Sequence, residues 1–203
     1  MRYRRAVEKL RELAQACEQV KNWPPEDPFL LEAHVFGDVL RGSDPLENVE
    51  VALVVNLPPQ EVPWGSTPPG TMWLADRLRL SKGGYLYFWR SHLTPVCNHH
   101  IVGPVRFWSP EGADEAVLTA LAERRFGGLP RQEPQEQARQ EQLGAELDAA
   151  LRHLRSVHAS YWDRDWRGEH RGYGRNPEDE LWDAVDGYLQ LRDAADPRAG
   201  HDS

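Results

Sequence analysis

The segment from Ala33 to Val55 constrains the fold more than any other part of the chain. An apolar run ends at Phe36-Gly37, a short segment bounded by glycines follows, and a second apolar run, VEVALVV, begins at Val49. Continuous apolar runs of this kind are typical of strands that are covered on both faces. The segment therefore predicts a strand, the start of a helix, a loop and a central strand, in a fold of the α/β class.

Patterns elsewhere predict further strands and helices. Tyr3, Val7 and Leu10 recur at helical spacing, which indicates an amphipathic helix over residues 3–21 that Trp23-Pro24-Pro25 would end. The other expected elements are strands at 33–36, 49–57, 85–93 and 102–108, a proline-rich loop at 58–69, a short helix at 71–80, a helix that opens at Ser109-Pro110 and runs to residue 125, a long helix at 135–161, and a last helix from Asn176-Pro177 to residue 192 with Leu181, Val185, Tyr188 and Leu189 facing inward.

The segment at residues 126–134, FGGLPRQEP, is the best candidate for a domain boundary. Before it the pattern mixes strands and helices, and after it the pattern is helical throughout. We therefore predict an α/β domain over residues 1–126, a helical domain over residues 133–195 and a flexible tail over residues 196–203.

Composition excludes several classes of protein. A net charge of −8 argues against non-specific nucleic-acid binding through the whole surface. No apolar stretch approaches the length that spans a bilayer, and the N-terminus lacks the apolar region of a signal peptide. The two cysteines, Cys17 and Cys97, do not make a disulfide framework. We expect a cytoplasmic protein, and the excess of 21 Arg over 3 Lys favours a bacterial source.

Residues 5–125 resemble the nucleotidyltransferase superfamily, which implies a mixed sheet with flanking helices. In that family a Gly-Ser pair lies where a strand meets a helix, and the helix N-terminus holds the triphosphate of a nucleotide. An Asp-x-Asp pair on the next strand and a third carboxylate on a later strand hold two Mg²⁺ ions. Phe36-Gly37 matches the junction, and Arg41-Gly42 matches the glycine that commonly follows it.

The charged positions depart from that pattern. Asp38 replaces the serine, Asn48-Val49-Glu50 replaces Asp-x-Asp, and residues 85–93 contain no acid. Asp38 at the start of a helix could cap free N–H groups and would repel a triphosphate. The resemblance therefore implies a degenerate member of the superfamily. The candidate catalytic residues are Glu50, Asp38 and Asp44, and the candidate ligand-binding residues at the junction are Gly37, Asp38 and Arg41.

A second group of candidate ligand-binding residues follows the long helix. In YWDRDWRGEHRGYGR, residues 161–175, aromatic residues alternate with arginines, an arrangement that could stack a base or grip a phosphate. The alternative is a helix end with its arginines paired to neighbouring acids. Arg152 with His158, and Arg164 with His170, resemble the Arg-x4–6-His motif of HEPN ribonucleases. The candidates that we retain are Arg164, Trp166, Arg167, His170 and Arg171.

Three functions remain open on this evidence. The first is a degenerate nucleotidyltransferase-like module that binds or regulates, with no cofactor and with an antitoxin-like role. The second is a divergent nucleotidyltransferase in which Glu50, with Asp44 or Glu47, holds Mg²⁺ and a nucleotide. The third is a HEPN-type protein that acts on RNA. Expected partners are a protein or a second copy, with nucleotide or RNA as alternatives, and no membrane. The closing motif at residues 177–182, PEDELW, also resembles an uncharacterised actinobacterial family.

Overall fold

A computed structural model describes residues 1–21, 29–68, 70–171 and 176–196 of the chain. Strands and helices alternate in the first two thirds, and helices alone follow. The helices and strands are α1 (Tyr3–Lys21), β1 (Leu30–Val35), α2 (Asp38–Arg41), β2 (Val49–Val55), α3 (Thr71–Arg77), β3 (Tyr85–Ser91), β4 (Val105–Ser109), β5 (Gly112–Ala113), α4 (Glu115–Ala122), α5 (Glu136–Ser160), α6 (Arg164–Glu169) and α7 (Pro177–Ala195), with short 3₁₀ turns at Pro59–Glu61 and Leu80–Lys82.

The five strands form one mixed sheet in the order β3-β2-β1-β4-β5. The long apolar strand β2 is central, pairing antiparallel with β1 and parallel with β3. Its register sets Glu50 beside Leu86 of β3 and Ala52 between Phe88 of β3 and His34 of β1. Because side chains alternate between the faces of a strand, Glu50 lies on the same face as Ala52 and Val54.

One face of the sheet packs against α1, α3 and α4. Alternate residues of β2, from Val49 to Val55, join the apolar side of α1 in a single core. Leu10 and Cys17 of α1 are fully buried there, and burial raises the pKa of the Cys17 thiol. The predicted amphipathic helix over residues 3–21 is confirmed.

The other face of the sheet packs against the C-terminal helices. Ala52 and Val54 of β2 share a second core with Ala150 of α5 and Leu191 of α7. Gly187 of α7 and Gly65 in the loop after β2 lie against each other. A Cβ atom on Gly187 would lie 2.2 Å from the carbonyl oxygen of Trp64, so only glycine allows this close approach. The helices therefore cover the sheet face that carries Glu50. The division into two domains at residues 126–133 stays a prediction.

Two predicted details are wrong. The helix expected from Ser109-Pro110 begins instead at Glu115, where Asp114 caps it by accepting a hydrogen bond from the N–H of Val117. The intervening residues turn and form β5, with Gly112 at a φ of +130° that disfavours other residues. Leu189, expected to face inward on α7, is 51% exposed. Ala184, Gly187 and Leu191 are buried on that helix instead.

The start of α7 is confirmed, with Asn176 and Asp179 forming a capping box ahead of Pro177. The strands expected at 33–36, 49–57, 85–93 and 102–108 are all present with shifted ends, and the predicted mixed sheet with flanking helices is confirmed as a mixed α+β architecture. In the described part of the chain, no helix has the length and apolar character needed to cross a bilayer. The predicted stop at residues 23–25 and most of the tail lie outside the described residues.

Candidate functional site

The junction between β1 and α2 is built around Gly37. This residue precedes the first turn of α2 with φ at +67° and ψ at −136°, a conformation that only glycine adopts without strain. The backbone can therefore turn sharply from the buried strand into the helix. A hydrogen bond from the N–H of Phe36 to the carbonyl oxygen of Glu50, 3.1 Å long, ties the junction to β2.

The carboxylate of Glu50 occupies the space beside this junction. Its Oε2 atom accepts a hydrogen bond from the backbone N–H of Asp38 at 2.6 Å. A Cβ atom added to Gly37 would lie 1.7 Å from the same oxygen, so the carboxylate rests directly against the Gly37 backbone. The first N–H of α2 is thus satisfied by an acidic side chain from the neighbouring strand, which places a negative charge where helix N-termini favour one.

The Asp38 side chain does not cap the helix, so the expectation that it would bind the free N–H groups there is wrong. Its Oδ1 atom accepts hydrogen bonds from Arg41, with Nη2 at 2.6 Å, and from the hydroxyl of Ser43 at 3.2 Å. The hydrogen bond from Arg41 lowers the pKa of the Asp38 carboxyl below its ordinary value. Glu50, from the adjacent strand, accepts from the N–H group, whereas the Asp38 carboxylate is held by Arg41 and Ser43.

Asp44 contacts a different set of residues from Glu50. Its carboxylate lies 3.4 Å from both the Tyr3 N–H and the Arg124 guanidinium, near the start of α1 and the end of α4. Over residues 1–21, 29–68, 70–171 and 176–196, no group of three His, Cys, Asp or Glu side chains has an arrangement that could hold a metal ion. The roles of Glu50, Asp38 and Asp44 in catalysis stay predictions.

An aromatic and histidine cluster lies next to Glu50, and the sequence did not reveal it. The rings of Trp64 and Phe88 stack 4.6 Å apart, and His100 packs 4.9 Å from Phe88 and 6.0 Å from Phe36. Partial burial lowers the pKa of His100, and the nearby charge of Glu50 opposes that effect. These residues come from four separate segments of the chain, so only the fold brings them together.

A buried charge network continues the cluster toward α5. Arg90 of β3 donates to Glu146 of α5 at 2.6 Å, and their side chains are 4% and 12% exposed. Asn98 donates to the other oxygen of Glu146 at 3.0 Å. His99 lies beside the same carboxylate, and burial lowers its pKa to about 4 although Glu146 acts in the opposite direction. This network joins the sheet to the first C-terminal helix.

The second predicted group of ligand-binding residues lies on α6 and just after it. The contacts of this group described below do not include Glu50. Arg167 pairs with Glu178 of α7 at 2.8 Å and lies over the ring of Tyr161. Trp166 and His170 stack 4.0 Å apart. Arg167 is therefore paired with an acid, but with Glu178 of α7 rather than with the neighbouring acids that the alternative interpretation expected.

Arg164 and Arg171 are exposed, and their part in ligand binding stays a prediction, as does that of Gly37, Arg41, Trp166 and His170. Arg152 and His158 are also exposed. Tyr173 and Arg175 lie outside the described residues. The interpretation as a ribonuclease motif is untested by these contacts.

A family model described as a domain of unknown function, DUF7711, matches residues 1–197. The chain belongs to this family. No curated protein and no solved structure shows a significant match to the chain. Membership therefore agrees with the predicted similarity to a family of unknown function.

Proposed function

We propose that this DUF7711 protein is a nucleotidyltransferase-like module that has lost catalysis and acts by binding or regulation. The observation that carries the proposal is the hydrogen bond from the Asp38 N–H to Glu50, whose carboxylate lies against Gly37. In the superfamily this helix start holds a triphosphate. Here the protein's own acid takes the N–H group that a phosphate would need.

Element order supports the resemblance. The helix α1 precedes β1, a glycine turn opens α2, and β2 and β3 follow with α3 between them. The central strand pairs antiparallel on one side and parallel on the other. This is the order of helices, strands and glycine turn on which the resemblance rests.

Electrostatics favours loss of nucleotide binding. Two unit charges about 4 Å apart repel by about 1 kcal/mol in water and by about 4 kcal/mol at an effective dielectric constant near 20. A triphosphate beside Gly37 would meet the Glu50 charge at such a distance, with Asp38 next to it. Metal ions could offset this repulsion only with further acidic ligands, whereas Leu86 stands beside Glu50 on β3 and Asp44 is paired with Arg124.

Incubation of the protein with Mg²⁺, radiolabelled nucleoside triphosphates and candidate acceptors tests the proposal. We expect no label transfer from the wild-type protein. Transfer that Glu50→Ala abolishes would contradict the proposal and support the divergent enzyme. The matched control is Glu61→Ala, which removes the same group from an exposed position in the turn after β2 and should leave any measured transfer unchanged.

A further inference from the structure

The outer side of the C-terminal helices carries an unusual amount of exposed apolar surface. Trp162 is 85% exposed, Trp182 is 70% exposed and Leu189 is 51% exposed. Soluble proteins rarely leave several large apolar side chains in contact with water on one surface unless that surface binds something.

These residues form one continuous strip. On α7, Trp182, Val185 and Leu189 follow helical spacing on the side opposite the buried Ala184 and Leu191. Glu178 lies one turn before Trp182 and pairs with Arg167 at 2.8 Å. Arg167 in turn lies 6.0 Å from the ring centre of Trp162. We call the surface made by Trp162, Arg167, Glu178, Trp182, Val185 and Leu189 the tryptophan strip.

The surroundings of the strip on α7 are acidic. This helix holds six acids, namely Glu178, Asp179, Glu180, Asp183, Asp186 and Asp193, against Arg192 as its one basic residue. By helical geometry Asp186 and Asp193 flank the Trp182–Leu189 side, and the positive charge of Arg167 is paired with Glu178. The strip is therefore apolar at its centre and negative at its margins on α7.

We propose that the tryptophan strip is a docking surface for a basic amphipathic helix of a partner protein. The apolar side of such a helix would cover Trp182 and Leu189, and its lysines or arginines would reach Asp186 and Asp193. Exposed tryptophans are the residues most often responsible for binding energy at interfaces, and helices commonly dock with anchors at this spacing.

A second copy of the chain fits the strip less well. Each copy carries a net charge of −8, and a two-fold contact between α7 helices would bring Asp186 of each copy together near the axis. In a two-fold interface the same patch meets itself, so the acidic margins would repel each other. Charge therefore favours a basic partner over self-association.

The docking surface rests on the proposed binding role but not on the closed site at Glu50. Label transfer tests the site at Glu50, whereas peptide binding tests the strip. Either result can fail while the other holds, because Glu50 is on β2, whereas the strip lies on α6, on α7 and in the turn before α6.

Fluorescence anisotropy of a labelled 18-residue peptide, built from leucine and lysine at amphipathic helical spacing, tests the docking surface. We expect saturable binding that weakens with added salt, and no binding of the matched peptide in which glutamate replaces lysine. The double variant Trp182→Ala/Leu189→Ala should weaken binding roughly tenfold or more. Circular dichroism should show an unchanged fold, because both side chains are mostly exposed.

The matched control is Leu93→Ala, which removes a leucine that is 64% exposed, against 51% for Leu189, from the loop after β3. It should leave the affinity unchanged. Equal binding by the double variant, or equal binding of the glutamate peptide, would overturn the proposal. So would a wild-type dimer in solution that Trp182→Ala converts to a monomer, since a second copy would then occupy the strip.

Discussion

The carboxylate of Glu50 occupies space beside the β1–α2 junction that only a glycine at position 37 leaves free. The backbone of Gly37 has a positive φ, and the Glu50 carboxylate fills the position of an added Cβ atom. The effects of substitutions at the two positions on the free energy of unfolding should therefore be coupled, because a side chain at position 37 and the Glu50 carboxylate would compete for the same space.

We predict that Gly37→Ala destabilises the fold by more in the wild-type background than in Glu50→Ala. The backbone conformation alone should cost about 1–3 kcal/mol, and displacement of the carboxylate adds to that cost. Urea unfolding of the two single variants and the double variant gives the coupling free energy, expected at about 1 kcal/mol or more.

Gly42→Ala serves as the control for this cycle. Gly42 also has a positive φ, +72°, but its added Cβ would meet the ring of Phe126 rather than Glu50. Its cost should be the same in both backgrounds. Equal costs of Gly37→Ala in both backgrounds would show that the carboxylate does not rest at the junction.

We predict a loss of stability below pH 6.5 that depends on His99. An unfolded histidine has a pKa near 6.5, whereas burial lowers the pKa of His99 to about 4. Between those values the unfolded chain binds a proton that the native protein does not, so stability falls as the pH falls and stops falling below pH 4. The expected difference at pH 5 is about 2 kcal/mol.

Urea unfolding at pH 7.5 and pH 5 compares the wild-type protein with His99→Gln. The variant cannot take up this proton, so it should lose less free energy of unfolding between the two pH values. The same loss in both proteins would mean that the pKa of His99 is not lowered in the native state.

Among the helices, α7 is held against the loop after β2 by close packing of the two backbones. Gly187 lies against the Trp64–Gly65 loop, and Trp64 donates to the side chain of Gln190 at 2.8 Å. A helix interior normally gains stability when glycine becomes alanine. At this contact the same change removes the space that the two backbones need.

We predict opposite effects of one substitution at two helical glycines. Gly187→Ala should lower the melting temperature, because its Cβ would lie 2.2 Å from the Trp64 carbonyl oxygen. Gly144→Ala on α5, where nothing lies within 4 Å of the added atom, should stabilise the protein by about 0.5–1 kcal/mol. Stabilisation at both positions, measured by thermal unfolding, would contradict the close contact of α7 with the loop.

The sequence predicted elements with strong periodicity and missed features that depend on pairing. The helix at residues 3–21 follows from its apolar spacing, and the start of α7 follows from Asn176 and Pro177. The start of α4 was missed because β5 forms only through pairing with β4. Serine, proline and aspartate near residue 110 offer several cap candidates, and local preference alone does not choose among them.

The candidate site shows the same division. Phe36-Gly37 was correctly placed at a strand end before a helix, since glycine marks such a turn. The acid at the start of α2 was not correctly predicted, because Glu50 reaches that position only through the register of β2 with its neighbours. The cluster of Trp64, Phe88 and His100 could not be found either, because no spacing in the sequence relates these residues.

The whole molecule is a mixed sheet with helices on both faces, and the face that carries Glu50 is also the face that the C-terminal helices cover. The neighbouring strand β3 carries no acidic residue beside Glu50. The outer side of the C-terminal helices bears the tryptophan strip. We propose that the sheet supplies a scaffold whose phosphate site is closed, and that the helices supply the surface that binds.

Equilibrium dialysis against labelled ATP, CTP, GTP and UTP, each with Mg²⁺, tests the closed site most directly. We predict no saturable binding of any of the four nucleotides by the wild-type protein at concentrations up to the millimolar range. Saturable binding that Glu50→Ala removes and Glu61→Ala leaves intact would contradict this prediction, because Glu50 would then hold the nucleotide's metal ion rather than exclude the nucleotide.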